Sequence, residues 1–243
     1  MTKSPPKILI DADILLYQTL LTTEHEIEFE DDLWVMFTDL KEATTSFKDK
    51  VTKITDQVGT DNILLCFSDK ENFRKDINPT YKMNRKATRK PMGFLEFKEL
   101  AMEAYPSISK PRLEADDILG ILQTKPGANT IIVTMDKDLK QIPGKHLVNG
   151  EVITITKEQG DHFHMLQTLM GDAVDGYAGC PGIGKVKAEK ILASGEPWPT
   201  IVETYEKAGL GEEDALLMAR MARILQWDDW DGDKQKVKLW NPQ

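Results

Sequence analysis

Three short apolar runs in this chain are each followed by an aspartate. KILI leads to Asp11, ILLCFS to Asp69 and IIVTM to Asp136. Short β-branched apolar runs are typical of buried parallel strands, and the carboxyl ends of such strands meet at one edge of an open α/β sheet. The sequence therefore predicts strands at 7–11, 63–67 and 131–134, with an acidic edge where they end.

Helical and hairpin patterns occupy the intervals between these runs. An Asn-Gly pair between apolar runs in VNGEVITI indicates a β-hairpin. Alternation of strands and helices predicts an α/β sheet with helices on its faces. KVKLW near the end predicts a final strand. Helices are predicted at 31–58, where Leu33, Met36, Phe37 and Leu40 have helical spacing, at 94–105, at 114–123, and from about Phe163 onward around a glycine-rich turn at 179–184.

Composition is that of a soluble chain with a full core. The 243 residues are 40% hydrophobic, which suits one domain, or one domain with a helical appendage. Cys66 and Cys180 make no disulfide framework and fit a reducing compartment. The start of the sequence has no signal-peptide pattern, and the chain has no long apolar run. We therefore expect a cytoplasmic location, the host cytoplasm if the source is a virus.

Acidic residues form five short groups along half of the chain. Asp136 and Asp138 would point the same way on an extended chain. Glu114 and Asp117 lie three residues apart, as do Asp172 and Asp175, and on a helix each of these pairs would share one face. Carboxylates are hard oxygen ligands, so a cluster of them predicts Mg²⁺ or Mn²⁺. The alternative is that each group merely caps a helix. The groups are Asp11 with Asp13, Asp69, Glu114 with Asp116 and Asp117, Asp136 with Asp138, and Asp172 with Asp175.

Charge is unevenly distributed. The net charge is −9, but setting the ten grouped carboxylates apart leaves 30 acidic residues against 31 Lys and Arg. The stretch from Lys70 to Lys90 is strongly basic and contains Tyr81, Lys82 and Arg85, with aromatic residues on both sides. A basic run is usually a solvated face, but cations interleaved with aromatics suit frayed or single-stranded nucleic acid.

The motif GCPGIGK at 179–185 lies between two helical segments. Its glycines allow backbone N–H groups to approach a phosphate, and Lys185 and Lys187 add positive charge. A lone Gly-x-Gly more often marks a simple turn. Here it follows GDAVDG directly, which makes the phosphate-binding interpretation more specific. His162 and His164 are interpreted as structural, because no other soft metal ligand is near them in sequence.

Taken in order, these motifs resemble those of the 5′ nuclease family, which includes flap endonucleases and the 5′ nuclease domain of bacterial DNA polymerase I. The likeness runs from Ile8 to about Leu192 through FSD, YKMNRK, LEADD, TMDKDL, GDAVDG and GIGK, and is greatest to the stand-alone 5′→3′ exonucleases of T7-like phages. It implies a PIN-like α/β core, with a central, mostly parallel sheet flanked by helices, at 1–165. A basic arch at about 70–98, and a helix-hairpin-helix with a helical C-terminal region at 166–243, complete the expected organisation.

The resemblance also implies roles for individual residues. Tyr81, Lys82 and Arg85 would be catalytic, and Asp13 would support the metal ligands. Two Mg²⁺ or Mn²⁺ ions and a monovalent cation such as K⁺ at the hairpin are expected. The implied metal ligands are Asp11, Asp69, Glu114, Asp116, Asp117, Asp136, Asp138, Asp172 and Asp175. The implied DNA-binding residues are Gly182, Ile183, Gly184, Lys185, Lys187, Arg74, Lys86 and Arg89.

The implied activity is a metal-dependent 5′→3′ exonuclease acting on double-stranded DNA in phage replication and recombination. Flap cleavage and RNA-primer removal are further expectations. Its partners would be duplex DNA with a free 5′ end, nicks, flaps or RNA–DNA hybrid ends, and replication-fork proteins, with the protein a monomer away from membranes. Two alternatives stay open: a PIN-type ribonuclease, and a non-catalytic DNA-binding protein that uses the hairpin alone.

Overall fold

The computed structural model describes residues 4–242, and most strands join one sheet. The expected strands and the Asn149-Gly150 hairpin are confirmed, with positive φ at both turn residues. The strands are β1 (Lys7–Asp11), β2 (Glu24–Glu30), β3 (Leu33–Thr38), β4 (Ile63–Phe67), β5 (Ser107–Ser109), β6 (Thr130–Val133), β7 (Gly144–Val148), β8 (Glu151–Ile155), β9 (Trp230–Asp231) and β10 (Lys236–Val237).

Helices fill the intervals, with short 3₁₀ helices at Met83–Ala87, Lys137–Gln141 and Trp227–Asp229. Among the helices of residues 4–242, none combines the length and the apolarity needed to cross a bilayer. The α-helices are α1 (Ala12–Thr22), α2 (Leu40–Val58), α3 (Arg74–Ile77), α4 (Phe94–Ala104), α5 (Ala115–Gln123), α6 (Lys157–Met170), α7 (Lys185–Leu192), α8 (Pro197–Lys207) and α9 (Glu212–Ala222).

The main sheet has the strand order β5-β4-β1-β6-β7-β8 and is parallel except between β7 and β8. The chain runs from β1 to β4 on one side and later places β6 on the other side of β1. The strand order therefore reverses at β1, and such a reversal opens a crevice at the carboxyl end of the sheet. Asp11 is the last residue of β1 and lies at this crevice.

Alternating residues of the central strands supply two cores. Ile8 and Ile10 of β1 pack on one side of the sheet with α1, α2 and α4. Leu9 and Cys66 face the other side, against α5 and the segment after α9. Both faces of the central strands are therefore buried, which explains their unbroken apolar runs.

The predicted helix at 31–58 is wrong in its first part. Residues 33–38 form β3, which pairs antiparallel with β2, and the helix begins only at Leu40. Asp39 caps that helix by accepting hydrogen bonds from the amides of Lys41 and Glu42. The segment LWVMFT is rich in β-branched and aromatic residues, and EHEIEFE alternates with a period of two. These strand signals outweigh the coincidental helical spacing.

The C-terminal helices pack around a separate core that includes Leu169, Ile201 and Tyr205. α6 starts at Lys157, earlier than predicted, because Thr156 and Gln159 form a capping box. The division expected at residue 165 falls inside this helix. The predicted terminal strand is present only as β10, which pairs with β9 outside the main sheet.

Candidate active site

Asp11 is buried at the carboxyl end of β1 and also caps α1. Its carboxylate accepts hydrogen bonds from the Ile14 amide (3.3 Å) and from Thr134 Oγ1 (3.0 Å). Burial, followed by repulsion from Asp13, raises the pKa of Asp11 to about 7. This carboxyl group therefore carries unfavourable negative charge that a cation would relieve.

Asp116 and Asp136 lie close enough to Asp11 to share that repulsion. Burial raises the pKa of Asp116 well above its ordinary value, and the charges on Asp11 and Asp136 raise it further. Asp116 is presented by the first turn of α5, and Asp136 by the loop after β6. Two strand ends and a helix N-terminus thus bring together carboxylates that are far apart in sequence.

Asp138, Asp172 and Asp175 form the adjoining part of the cluster. Burial, and next the charge on Asp136, raises the pKa of Asp138 to about 6, and Asp172 and Asp175 add to the effect. Asp172 and Asp175 belong to a tight turn closed by backbone pairing of Asp172 with Tyr177. Asp136 is common to both halves of the cluster, because its charge raises the pKa of Asp116 and also that of Asp138.

The predicted orientation is wrong for two of the three carboxylate pairs. Asp136 and Asp138 are not on an extended chain, because a 3₁₀ helix begins at Lys137 and the Asp138 amide donates to Asp136 Oδ1 (2.8 Å). Asp172 and Asp175 are on a turn rather than a helix, and Asp172 Oδ1 accepts from the Asp175 amide (3.2 Å). Capping and clustering therefore occur together, since the same aspartates cap local turns and face one another.

The basic segment reaches into the cluster at three residues. Lys82 Nζ pairs with Glu114 Oε1 and lies 3.5 Å from Asp175 Oδ2, and Arg85 Nη2 lies 2.6 Å from Asp175 Oδ1. The buried Tyr81 hydroxyl lies 2.9 Å from Glu114 Oε2 and 3.1 Å from Asp175 Oδ2. The three residues predicted to be catalytic are thus placed beside the carboxylates.

Glu114 carries a stable negative charge in this arrangement. Burial alone would raise the pKa of Glu114, but Lys82 and Arg74 outweigh it and lower the pKa to about 2. Burial likewise would lower the pKa of Lys82, yet Glu114 and Asp175 raise it. Both groups stay ionised, so the cluster holds a partly buried ion pair next to the mutually repelling carboxylates of Asp11 and Asp116.

Within residues 4–242, no three Asp, Glu, His or Cys side chains are arranged so that they could hold a metal ion as they stand. Protein cations pair with Glu114 and Asp175 in this arrangement. The donor set nevertheless fits a hard divalent cation. Asp138 Oδ1 is buried with no hydrogen-bond partner, and the remaining carboxylates repel one another.

Asp69 and Asp117 are bound by protein donors, and their assignment as metal ligands stays a prediction. Asp69 Oδ2 accepts from the Arg112 amide (2.7 Å), and backbone hydrogen bonds, first that from Arg112, lower the pKa of Asp69. Asp117 is fully buried, and both its oxygens are taken by Arg74 and by the amides of Glu114 and Leu225. These two carboxylates secure the chain around the cluster.

Two of the predicted DNA-binding cations, Arg74 and Arg89, are bound by protein acceptors. The assignment of Arg74 is wrong, because its side chain is only 3% exposed and is surrounded by protein acceptors. Both Nη atoms of Arg89 are taken by Glu24, at 2.6 and 2.9 Å, so Arg89 joins the basic segment to β2 rather than presenting a free guanidinium. The Lys86 side chain lies outside the described part of the structure, so its role stays a prediction.

The glycine-rich turn leads directly into the N-terminus of α7. Gly182 has φ +72°, a conformation that favours glycine, and Gly184 caps α7 with extended backbone at φ −94°. Lys185 is exposed, and Lys187 Nζ donates to the Gly182 carbonyl (2.9 Å). Ile183 is partly buried against the C-terminal core and anchors the turn.

Sequence reasoning missed two residues of the site. Thr134 Oγ1 donates to Asp11 and accepts from the Asp136 amide (3.0 Å), so it ties two strand ends together. Lys137 Nζ lies 3.4 Å from Asp172 Oδ2 and crosses from the 3₁₀ turn to the 172–177 turn. The only available signal was their position inside the acidic motif TMDKD.

Comparison with known proteins agrees with this geometry. Residues 6–168 match the family described as the 5′-3′ exonuclease, N-terminal resolvase-like domain. The chain is 31% identical to the exodeoxyribonuclease of Enterobacteria phage T3, over 97% of this chain and 92% of that protein. It is 30% identical to the exonuclease of Escherichia phage T7, over 97% and 93%.

Solved structures share the fold at lower identity. The T5 D15 protein crystallised with metal ions covers 89% of this chain, with 88% of its own chain matched, a TM-score of 0.69 and 15% identity. A T5 D15 flap endonuclease complex with DNA and metal ions gives a TM-score of 0.61 over 89% of this chain and 93% of that one, also at 15% identity. With the acidic crevice, the basic segment and these matches together, the chain belongs to the 5′–3′ exonuclease family and is a nuclease of that family.

Proposed function

We propose that this nuclease binds double-stranded DNA at a free 5′ end and hydrolyses it 5′→3′ with the help of two divalent ions, Mg²⁺ or Mn²⁺. The observation that carries the proposal is the cluster of mutually repelling carboxylates at the β1 crevice, beside Lys82 and Arg85. A role in phage DNA replication and recombination follows from the likeness to the phage exonucleases.

The proposed ions would be held in two adjoining places. Asp11, Glu114, Asp116 and Asp136 would hold one ion or its waters, and Asp136 would share the second with Asp138, Asp172 and Asp175. Bound there, divalent ions would lower the pKa of water and withdraw charge from the phosphate. The K⁺ ion expected at the hairpin remains a prediction.

Lys82 and Arg85 supply the positive charge on the protein's side. Lys82 is 18% exposed, and Arg85 is 50% exposed, so both can exchange a carboxylate partner for a phosphate oxygen. Their ammonium and guanidinium groups would offset the charge that accumulates on the phosphate in the transition state. Tyr81 keeps its proton, since burial and then Glu114 raise its pKa, and it orients Glu114. No side-chain nucleophile is required.

Duplex DNA would be gripped by the turn at 182–187. The exposed amides at the start of α7, with Lys185, suit backbone phosphates and would act independently of base sequence. The T5 D15 complex with DNA supports this part of the proposal by its fold alone. Nicked, flapped and RNA-primed ends are the further substrates we propose, and replication-fork proteins the further partners.

Replacement of single carboxylates tests the assignment. Asp116→Ala and Asp136→Ala should abolish cleavage of end-labelled duplex, because each removes a ligand. Both should leave DNA binding unchanged or tighter, because each also removes repulsion with phosphate. Glu71→Gln is the matched control, since Glu71 is exposed and lies in the basic segment outside the cluster. Near-normal Mg²⁺-dependent turnover in both alanine variants would overturn the assignment.

A PIN-type ribonuclease is the second candidate function, because an acidic cluster of this kind could also serve RNA. The phosphate-gripping turn favours a duplex DNA substrate instead. Parallel assays with all-RNA, all-DNA and RNA-primed strands of the same sequence separate the two. Preferential digestion of single-stranded RNA would favour the ribonuclease.

A further inference from the structure

Arg74 is a buried cation at the start of the basic segment, and all five of its N–H donors have acceptors. Its side chain is 3% exposed. Nε donates to the Met221 carbonyl (3.2 Å), Nη1 to Glu114 Oε2 (3.1 Å) and Asp117 Oδ2 (2.8 Å), and Nη2 to Asp117 Oδ1 (2.8 Å) and the Arg223 carbonyl (2.5 Å). Five donors in a planar fork are the full capacity of a guanidinium. None is left for DNA.

The acceptors of Arg74 come from two separate parts of the chain. Glu114 and Asp117 belong to the capping box of α5, whose first turn also carries Asp116. The two carbonyls belong to the end of α9 and the residues that follow it. The Leu225 amide donates to Asp117 Oδ1 (3.1 Å), so the segment after α9 also contacts Asp117 directly. Arg74 therefore connects the C-terminal helices to the acidic helix N-terminus.

Glu114 is held by two cations that differ in character. Lys82 lies at the edge of the cluster and belongs to a segment that would meet the substrate, whereas Arg74 is enclosed by protein. If Lys82 turns towards a phosphate, Arg74 still holds Oε2. Removing a guanidinium from this position would leave a buried carboxylate without its partner, and such a loss is costly.

We propose that Arg74 is a positioning residue that fixes Glu114 and Asp117 against the end of α9, and that the affinity of the cluster for divalent ions depends on it. This inference rests on the proposed metal site. Residues that hold metal ligands in place commonly change metal affinity by 10-fold to 100-fold when replaced. Asp117 is then a support for Arg74 rather than a ligand.

The test uses Arg74→Lys, which keeps the charge but cannot span the same acceptors. Arg223→Lys is the matched control, because Arg223 is also a buried arginine, paired with Asp229 at 2.8 and 2.9 Å, but makes no side-chain contact with the cluster. Mn²⁺ binding to the full chain without DNA is measured by electron paramagnetic resonance, and folding by circular dichroism and urea denaturation. Asp117→Asn is measured alongside, so that a result is available even if Arg74→Lys does not fold.

The expected result is a dissociation constant for Mn²⁺ raised about tenfold or more in Arg74→Lys and to a similar degree in Asp117→Asn. Arg223→Lys should lower the free energy of unfolding without changing the dissociation constant for Mn²⁺. An unchanged Mn²⁺ affinity in folded Arg74→Lys would overturn the inference, as would loss of all binding in Asp117→Asn alone, which would make Asp117 a ligand. Absence of Mn²⁺ binding by the unsubstituted protein would overturn the proposed metal site itself and this inference with it.

Discussion

Replacement of Gly184 by valine should weaken DNA binding without disturbing the fold. Gly184 has φ −94° and ψ 177°, which a β-branched residue adopts readily, and a Cβ at this position would meet nothing within 4 Å in the free protein. The valine side chain would instead project where the start of α7 must approach a phosphate. Neither the backbone conformation nor the packing of the free protein therefore requires glycine at position 184, and any effect of valine should arise from its contact with DNA.

The size of the effect follows from the contacts at stake. A hydrogen bond to a charged group contributes about 1.5–3 kcal/mol, so the loss of one amide–phosphate contact should raise the Kd for duplex DNA by about 10-fold to 100-fold. Replacing a helix-capping glycine by an apolar residue should lower the free energy of unfolding by only about 1 kcal/mol. Binding should thus suffer far more than stability.

Gly211→Val is the matched control. Gly211 also caps a helix with extended backbone, at φ −120°, and the nearest atom to an added Cβ is 3.9 Å away. Fluorescence anisotropy with labelled duplex and single-stranded oligonucleotides measures binding, and urea denaturation measures stability. Short single strands need not reach the turn, so their cleavage should change little. Equal loss of duplex binding in both glycine variants, or equal loss on both kinds of substrate in folded Gly184→Val, would refute the reasoning.

Three further predictions concern catalysis, backbone and pH. Lys82→Ala should lower the single-turnover cleavage rate on the order of 10²–10³-fold with little change in Kd, and a weaker Kd at an unchanged rate would make Lys82 a docking residue. Gly171→Ala should lower the free energy of unfolding by about 1–3 kcal/mol, because φ is +69° and the new Cβ would lie 2.3 Å from a backbone carbon. An unchanged midpoint of urea denaturation would contradict this. Burial, and next Arg223, lowers the pKa of His164 from 6.5 to about 3, so only the unfolded chain gains this proton as the pH falls below about 6.5. His164→Gln should therefore remove roughly 1.4 kcal/mol per pH unit from the loss of stability in acid between those two pH values. Identical pH–stability curves for His164→Gln and the parent would count against this prediction.

The fold was predictable where a single pattern decided each element. Unbroken apolar runs located β1, β4 and β6, and the Asn149-Gly150 pair located the β7–β8 hairpin. The prediction failed at residues 33–38, where apolar residues satisfy helical and strand periodicity at once. Pairing with β2 decided the outcome, and that is a contact between segments which the periodicity of either one alone does not contain.

The candidate site was predictable in its membership and less so in its connections. Strand ends and motif order were enough to group Asp11, Asp116 and Asp136. The sequence could not distinguish Arg74 from its basic neighbours, because its burial depends on the end of α9, about 150 residues further along the chain. The same limit applies to Arg89, because its partner Glu24 lies in β2, a strand that the sequence analysis did not predict. Local patterns report charge, whereas burial and partners are set by tertiary contacts.

Digestion of one duplex labelled in turn at its 5′ and 3′ ends tests the central claim most directly. With Mg²⁺, the 5′ label should be released first in short products, while the 3′-labelled strand shortens gradually from its 5′ end. Chelation of the metal should stop both processes, and Asp116→Ala should resemble the chelated enzyme. First release of the 3′ label, or cleavage that continues at the same rate after chelation, would contradict a metal-dependent 5′→3′ nuclease built on this carboxylate cluster.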